Sequence, residues 1–325
     1  MLLDPVEKIA LGSTGIPVTR ICFGTSSLGN MPDTYGYSVD AERARDTVRA
    51  IFAGPVNFLD TSRNYGFGRS EERIGDVIRE LGGLPQGFVV STKLDRDMET
   101  NRFDAARARR SLEESLKALN LDRVHLLHLH DPEHATALSE VTSADGALAE
   151  LFRMKEQGLA QAVGLAAGPV DVMMPILQDW DFDALITHNR FTLVNRNAEA
   201  MLDYAHEQGI AVLNAAPYSG GILAKGSAAH PRYVYQDASP AVLEPIRNIE
   251  RLCAKFNVPP GAAALQFSMR DPRITSTICG ISQTARIKET LAWAAYPIPD
   301  GFWAEVTALP WEAGDPEATR VYRPG

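Results

Sequence analysis

The sequence predicts a single (β/α)8 barrel over residues 1–325, with a hairpin ahead of it and an extra helix behind it. Three observations carry that expectation. Eight short apolar, β-rich runs are spaced along the chain, segments of helical periodicity lie between them, and no GxGxxG turn follows the first run. Eight unbroken alternations call for parallel strands joined by crossover helices. Closure suits that number better than an open doubly wound sheet of about five or six strands with a glycine-rich first turn.

In chain order, Lys8 to Val18 carries Gly12 and Gly15 around Thr14 between apolar residues, the pattern of a hairpin. The eight runs follow at Ile21 to Gly24, Val56 to Thr61, Phe88 to Leu94, Arg123 to His130, Ala162 to Ala166, Ala184 to His188, Ala211 to Ala216 and Thr275 to Ile281. Between the third and fourth, Ala105, Ala108, Leu112, Leu116 and Leu119 repeat at helical spacing behind Asp104, a natural N-cap. Ser70 reads as another cap. Glu71 and Glu72 then suit the positive end of that helix, with Ile74, Val77, Ile78 and Leu81 turned to the core. Two segments fall outside the repeat: a loop rich in Gly, Ala, Ser and Tyr from Ser219 to Ser239, and an amphipathic helix at Pro299 to Leu309 with a polar tail to Gly325. Long loops in compact folds are usually functional, so both are expected over the barrel mouth.

With 45% hydrophobic and 22% charged residues, the chain can fill a large core and keep its surface wet. A net charge of −9 opposes attraction to phosphate backbones and anionic lipid, so neither nucleic acid nor a membrane is an expected partner. No run approaches the roughly 20 apolar residues of a membrane span. The start MLLDPVEKIA has acids where a signal peptide has a basic end and an apolar run, which points to the cytoplasm. Cys22, Cys253 and Cys279 lack the short spacing of a zinc knuckle or CxxC and read as reduced, buried thiols. Nothing in the sequence sets an oligomeric state.

Active sites of (β/α)8 barrels gather at the C-terminal ends of the strands, so polar residues that end apolar runs are the first suspects. Asp60 ends the second run in FLDTSRNYG, Tyr65 follows it, Lys93 ends the third in VVSTK, and His130 ends the fourth in LLHLHDP. Each alone has a structural explanation as a turn, rim or strand-end residue. Their arrival on three consecutive strands favours chemistry. A tyrosine titrates near pH 10 and exchanges protons poorly at neutral pH unless a cation such as Lys93 favours its phenolate. A buried ammonium needs a counter-ion, which Asp60 supplies, and a neutral His130 can orient a carbonyl oxygen or relay a proton.

The segment FLDTSRNYGFGRSEERIG resembles the aldo-keto reductase block in which Asp-Thr precedes Tyr-Gly and a Gly-x-Ser-Glu helix start, and VVSTK and LLHLHDP match the next two blocks. The resemblance runs from the opening hairpin to about Ala295. It implies a catalytic tetrad of Asp60, Tyr65, Lys93 and His130, with Tyr65 as general acid/base, and a nicotinamide cofactor, NADP(H) or NAD(H), lying across the barrel mouth. Tyr218, Gly220, Gly221 and Leu223 in NAAPYSGGILAKG, and Gly280, Ser282, Arg286 and Glu289 in ICGISQTARIKET, fall where the family holds pyrophosphate and adenosine. Asn189 falls near the family position for the nicotinamide carboxamide. The chain also departs from the pattern. Ala166-Ala167 replaces a Ser-Asn pair, Ala215 stands where an aromatic stacks on the ring, leaving Tyr218 as a displaced substitute, and Gly280 replaces a lysine. Arg286 is then the remaining cation for a 2′-phosphate, and use of NAD stays open.

Two rival readings follow from the same residues. His128 and His130 before Asp131 resemble the HxH of zinc hydrolases, although residues two apart share a strand face and His128 can be a core residue. A barrel that binds cofactor without turnover, as in regulatory subunits associated with ion channels, is the other; the complete tetrad favours an enzyme. Substrate identity lies in the loops Thr25 to Val39, Asp131 to Thr142 and Ala224 to Ser239 and in the tail after Pro310, where Tyr35, Tyr37, Tyr235 and Trp311 are candidate walls. The HDP and APYSGGILA variants resemble the branch acting on aldoses and pyridoxal, so a sugar, a sugar-derived aldehyde or another small aldehyde or lactol is the expected substrate.

Overall fold

Short apolar runs separated by amphipathic segments bury best as strands inside a ring of helices, and the computed structural model, which describes residues 4–320, has that architecture. The first residues of the MLLDPVEKIA start and the end of the polar tail lie outside the described residues. Strands β1 (Lys8–Ala10) and β2 (Pro17–Thr19) form the expected antiparallel hairpin. The barrel strands are β3 (Ile21–Gly24), β4 (Phe58–Asp60), β5 (Val89–Leu94), β6 (Val124–His130), β7 (Ala160–Ala166), β8 (Ala184–His188) and β9 (Ala211–Ala215). After a small hairpin of β10 (Arg232–Tyr233) and β11 (Gln236–Asp237), β12 (Ile274–Gly280) closes the barrel between β9 and β3. All eight barrel pairings are parallel. Each expected run is therefore a strand, with ends shifted by a residue or two.

Helices α1 (Pro32–Tyr35), α2 (Ala41–Phe52), α3 (Arg69–Glu80), α4 (Ala105–Leu119), α5 (Leu138–Thr142), α6 (Ala147–Glu156), α7 (Val170–Asp179), α8 (Glu199–Glu207), α9 (Ile222–Lys225), α10 (Pro240–Phe256), α11 (Pro260–Arg270), α12 (Thr284–Ala294) and α13 (Asp300–Thr307) complete the chain. The longer ones bury apolar stripes against the outside of the barrel. Asp104 caps α4, accepting from the Arg107 amide at 2.8 Å. Inside the barrel, Leu11, Ile16 and Val18 of the hairpin pack with Cys22, Phe58 and Val89, so the hairpin stoppers one end. That leaves the end carrying Asp60, Lys93 and His130 open for a site.

Several local expectations change. Gly68, not Ser70, caps α3, and the Ser70 hydroxyl instead donates to the Thr25 carbonyl at 2.9 Å. Ile74, Val77 and Ile78 are buried, but Leu81 is 52% exposed because it lies past the end of α3. The Ser219 to Ser239 segment does reach the mouth, through α9 and the β10–β11 hairpin. Helix α13 does not. Its Phe302 and Trp303 are buried, Phe302 against Phe256 of α10, so its apolar face holds it to the flank of the barrel. The polar tail behind it crosses to the mouth, where Arg190 pairs with Asp315 at 2.6 Å and with Glu317 at 3.4 Å. The three cysteines are buried and unpaired, and among the described residues no helix is long and apolar enough to cross a membrane.

Candidate active site

Strand ends bring the four tetrad candidates together. Asp60 closes β4, Lys93 is the penultimate residue of β5, His130 closes β6, and Tyr65 lies on the loop between β4 and α3. The Lys93 ammonium has three hydrogens, and each has an acceptor: Asp60 Oδ2 at 2.6 Å, the Thr61 carbonyl at 2.6 Å and Tyr65 Oη at 3.2 Å. Ser91 Oγ donates to the other Asp60 oxygen at 3.0 Å. Because lysine accepts nothing, the Tyr65 hydroxyl keeps its own hydrogen for another partner. Burial, followed by the Asp60 carboxylate, pushes the Tyr65 phenol well above its ordinary value. This corrects the expectation of a favoured phenolate: Asp60 compensates the lysine charge, and the phenol is held neutral.

His130 Nδ1 lies 2.6 Å from Asp95 Oδ1, while Asp95 Oδ2 accepts from Ser62 Oγ at 2.6 Å and the Asn64 amide at 2.8 Å. Burial pulls the imidazole pKa down, but Asp131 and Asp95 outweigh it and the net shift is upward. The field of the two carboxylates thus makes the ring easier to protonate than an ordinary histidine. Asp95 escaped the sequence reading, although it stands just past Leu94 in STKLDRD and obeys the same strand-end rule. His128 lies beneath, fully buried and held far below its ordinary value by burial, with Ser91 Oγ 3.2 Å from its Nδ1. It is a core residue. Among the described residues no group of three or more His, Cys, Asp or Glu is arranged to hold a metal ion.

A cavity of about 490 Å³ opens above the tetrad. Ala166, Ala167, Ile186 and Ala215 give it a small apolar wall, and Gly220, Gly221, Gly280, Ser282 and Arg286 border its far end. Three residues named from sequence do not reach it. Asn189 is fully buried, with its amide nitrogen donating to Glu317 Oε1 at 2.8 Å; Leu223 is in the core; Glu289 pairs with Arg286 on the surface of α12. Tyr218 borders the cavity, but its ring is buried edge-on to Trp293 with the centroids 5.7 Å apart, so it is no free platform. Of the aromatic walls, Tyr35, Tyr37 and Tyr235 line the cavity, whereas Trp311 lies outside it near Arg196. Two cations unforeseen at the far end, Arg43 and Lys225, join Arg286 there, and Arg320 from the tail stands over the Tyr235 ring at 4.7 Å.

Comparison with known proteins gives this geometry a family. Residues 20–310 match the model of the Aldo/keto reductase family. The chain belongs to the Aldo/keto reductase family. It is 29% identical to L-galactose dehydrogenase of Arabidopsis thaliana over 89% of this chain and 88% of that one. It is 27% identical to pyridoxal 4-dehydrogenase of Microbacterium luteolum over 93% and 97% of the two chains. An aldo-keto reductase from Bacillus halodurans, solved in its holo form, shares the fold with a TM-score of 0.76 at 18% identity, over 97% of this chain and 99% of that one.

As an aldo-keto reductase, the protein is an oxidoreductase that works with a nicotinamide cofactor, NAD(H) or NADP(H). The far end of its cavity fits such a group. Lys225 is pulled below the ordinary lysine value by burial, then by the like charges of Arg286 and Arg232, so cations are clustered at this end of the cavity. The backbone at Gly220 and Gly221 has φ of 78° and 106°, which side chains resist and which lets the chain turn tightly beneath a phosphate. Lys225, Arg286 and Arg43 would hold the cofactor's phosphates, with Arg43 already fixed by its bond to the Ser282 carbonyl at 2.9 Å.

Proposed function

We propose that this aldo-keto reductase moves a hydride between nicotinamide and the carbonyl or lactol carbon of a sugar or a sugar-derived aldehyde, with Tyr65 as general acid/base. The observation that carries the reading is the Lys93 to Tyr65 contact at 3.2 Å on the cavity wall. When bound, the nicotinamide supplies or accepts the hydride. In reduction, charge develops on the carbonyl oxygen, and Tyr65 Oη gives it a proton; the phenolate left behind sits against the Lys93 ammonium. In oxidation the same atoms run in reverse, and the lactol or alcohol proton passes to the Tyr65 oxygen. His130 borders the cavity beside Tyr65, its ring at 87° to the phenol, and holds the reacting oxygen.

A hydroxylated substrate suits the cavity, because Asn64, Tyr35, Tyr37, Tyr235, Asp131 and Arg320 surround the tetrad with hydrogen-bonding groups. Relatives named for sugars, L-galactose dehydrogenase and D-threo-aldose 1-dehydrogenase of a Pseudomonas species, 26% identical, support that class, and pyridoxal 4-dehydrogenase supports a polar aromatic aldehyde as the neighbouring option. The test is a panel of aldoses, hydroxyaldehydes, pyridoxal and simple alkyl aldehydes, followed by nicotinamide absorbance in both directions with NAD and NADP. Turnover is expected to be fastest on the hydroxylated members. Tight cofactor binding with no turnover on any carbonyl would replace this reading with a regulatory barrel.

A further inference from the structure

Asp95 is a buried carboxylate one residue past the end of β5. Its side chain is 2% exposed, and both oxygens are engaged, Oδ1 by His130 Nδ1 and Oδ2 by Ser62 and the Asn64 amide. The backbone is held as well, its N–H donating to Ser111 Oγ at 2.9 Å and its carbonyl accepting from Arg107 Nε at 3.0 Å. A carboxylate clamped on every side cannot swing away, and the ring bonded to it cannot turn. Nδ1 is taken, so Nε2 is the ring atom left for a substrate, with Asp131 Oδ1 beside it at 3.5 Å.

We propose that Asp95 is a positioning residue for hydride transfer: by holding Nδ1 of His130 and placing a fixed negative charge beside it, Asp95 makes Nε2 an N–H donor to the substrate oxygen. The proposal rests on the reduction chemistry given above. Its logic is one of tautomers. A neutral ring that gives its Nδ1 hydrogen to Asp95 shows a lone pair at Nε2, which repels a carbonyl oxygen; the imidazolium shows N–H at both nitrogens. Charge on Asp95 favours the second form.

The groups around the ring set the balance. Asp95 and Asp131 favour the cation, and Lys93 opposes it. Tyr65 faces the ring as a neutral phenol, and His128 below is neutral. On the following turn, burial and Asp131 push Glu133 well up from the ordinary carboxylate value, which weakens its charge beside the ring, and burial lowers His134. Removing the Asp95 charge therefore leaves Asp131 alone against Lys93 and burial, and the imidazolium is lost at lower pH.

The experiment compares wild type, Asp95→Asn and Asp95→Glu by steady-state kinetics across pH, and by NMR titration of labelled histidine, with His130→Gln to assign the signal. In Asp95→Asn the carboxamide oxygen keeps the Ser62 and Asn64 bonds and its NH2 faces Nδ1, so a neutral ring can still carry N–H at Nε2. There kcat for reduction should fall by less than about tenfold, from loss of the charge alone, and the decisive readout is the pH dependence. Substrate KM and cofactor affinity should stay within about twofold, since neither is bound by Asp95. The alkaline limb of the pH profile and the His130 titration should both move down, and Asp95→Glu should restore part of each. A wild-type His130 that titrates at or below the ordinary 6.5, or an Asp95→Asn variant with lower stability but an unmoved titration, would overturn the proposal. The titration does not require turnover, so a wild type inactive on every carbonyl would defeat the proposed chemistry while the Asp95 to His130 coupling is still read.

Discussion

The Tyr65 phenol receives a hydrogen from Lys93 and has its own hydrogen left to give, which makes it an acid at neutral pH in the free protein. Tyr65→Phe removes that hydrogen and keeps the ring. Reduction should lose about two to four orders of magnitude in kcat, while cofactor affinity by fluorescence titration stays within about twofold. Comparable kcat in variant and wild type would remove Tyr65 from the chemistry. At the far end of the cavity, Arg286 has two possible duties, since its guanidinium pairs with Glu289 and lies 5.2 Å from the Trp293 ring. If it grips a 2′-phosphate, Arg286→Ala should weaken NADPH about tenfold or more beyond any effect on NADH, the scale of one charged contact. Equal losses for both cofactors would assign it to packing against the adenosine they share.

Elements place these residues through close backbone approaches. The loop that carries Tyr65 passes the short turn after β3 so tightly that a Cβ at Gly66 would stand 2.0 Å from the Gly29 carbonyl oxygen, at a φ of 64°. Only glycine fits both the space and the conformation. Gly66→Ala should therefore push the Tyr65 loop outward, and a displacement on the order of 1 Å at a proton donor costs up to about a hundredfold in rate. A drop in kcat/KM with an unchanged far-UV spectrum is the expected pair of results; full activity would mean that the loop relaxes without moving Tyr65. The tail works differently. Its Glu317 carboxylate is held far below the ordinary range, burial being outweighed by His188, Arg320 and Arg190, so it is charge pairing that ties the tail across the mouth.

Across the whole molecule, the hairpin closes one end of the barrel and frees the other for chemistry, and burial around the rim leaves its mark on stability. Glu71 at the start of α3 is fully buried, accepts from Thr92 Oγ1 at 2.6 Å, and is pushed by desolvation from 4.5 up to about 7. It lies in the first turn of α3, at the positive end where the sequence places it. A carboxyl whose folded pKa is raised stabilises the fold fully below its unfolded value, and that contribution is lost as pH rises through the folded one. The window here runs from about 4.5 to about 7. Glu71→Gln should flatten that part of the stability profile in urea unfolding, by an amount of about 3 kcal/mol. An equally steep profile in the variant would show that Glu71 is ionised in the fold.

Sequence by itself determined what depends on neighbours along the chain. Strand and helix periods are local, so the eight alternations and the hairpin were legible, as was the N-cap at Asp104. Polar residues ending apolar runs were legible for the same reason, which is how Asp60, Lys93 and His130 were found with Tyr65. What only the tertiary structure decided depends on distant segments meeting. Asp95 reaches His130 from the end of the neighbouring strand, Glu317 takes the Asn189 amide from the far end of the chain, and Arg43 of α2 and Lys225 of α9 converge on Arg286 of α12. Burial and electric field follow from that convergence. They keep Tyr65 neutral despite Lys93, raise the Glu71 carboxyl, and hold α13 to the flank by Phe302 and Trp303 while the charged tail crosses the mouth.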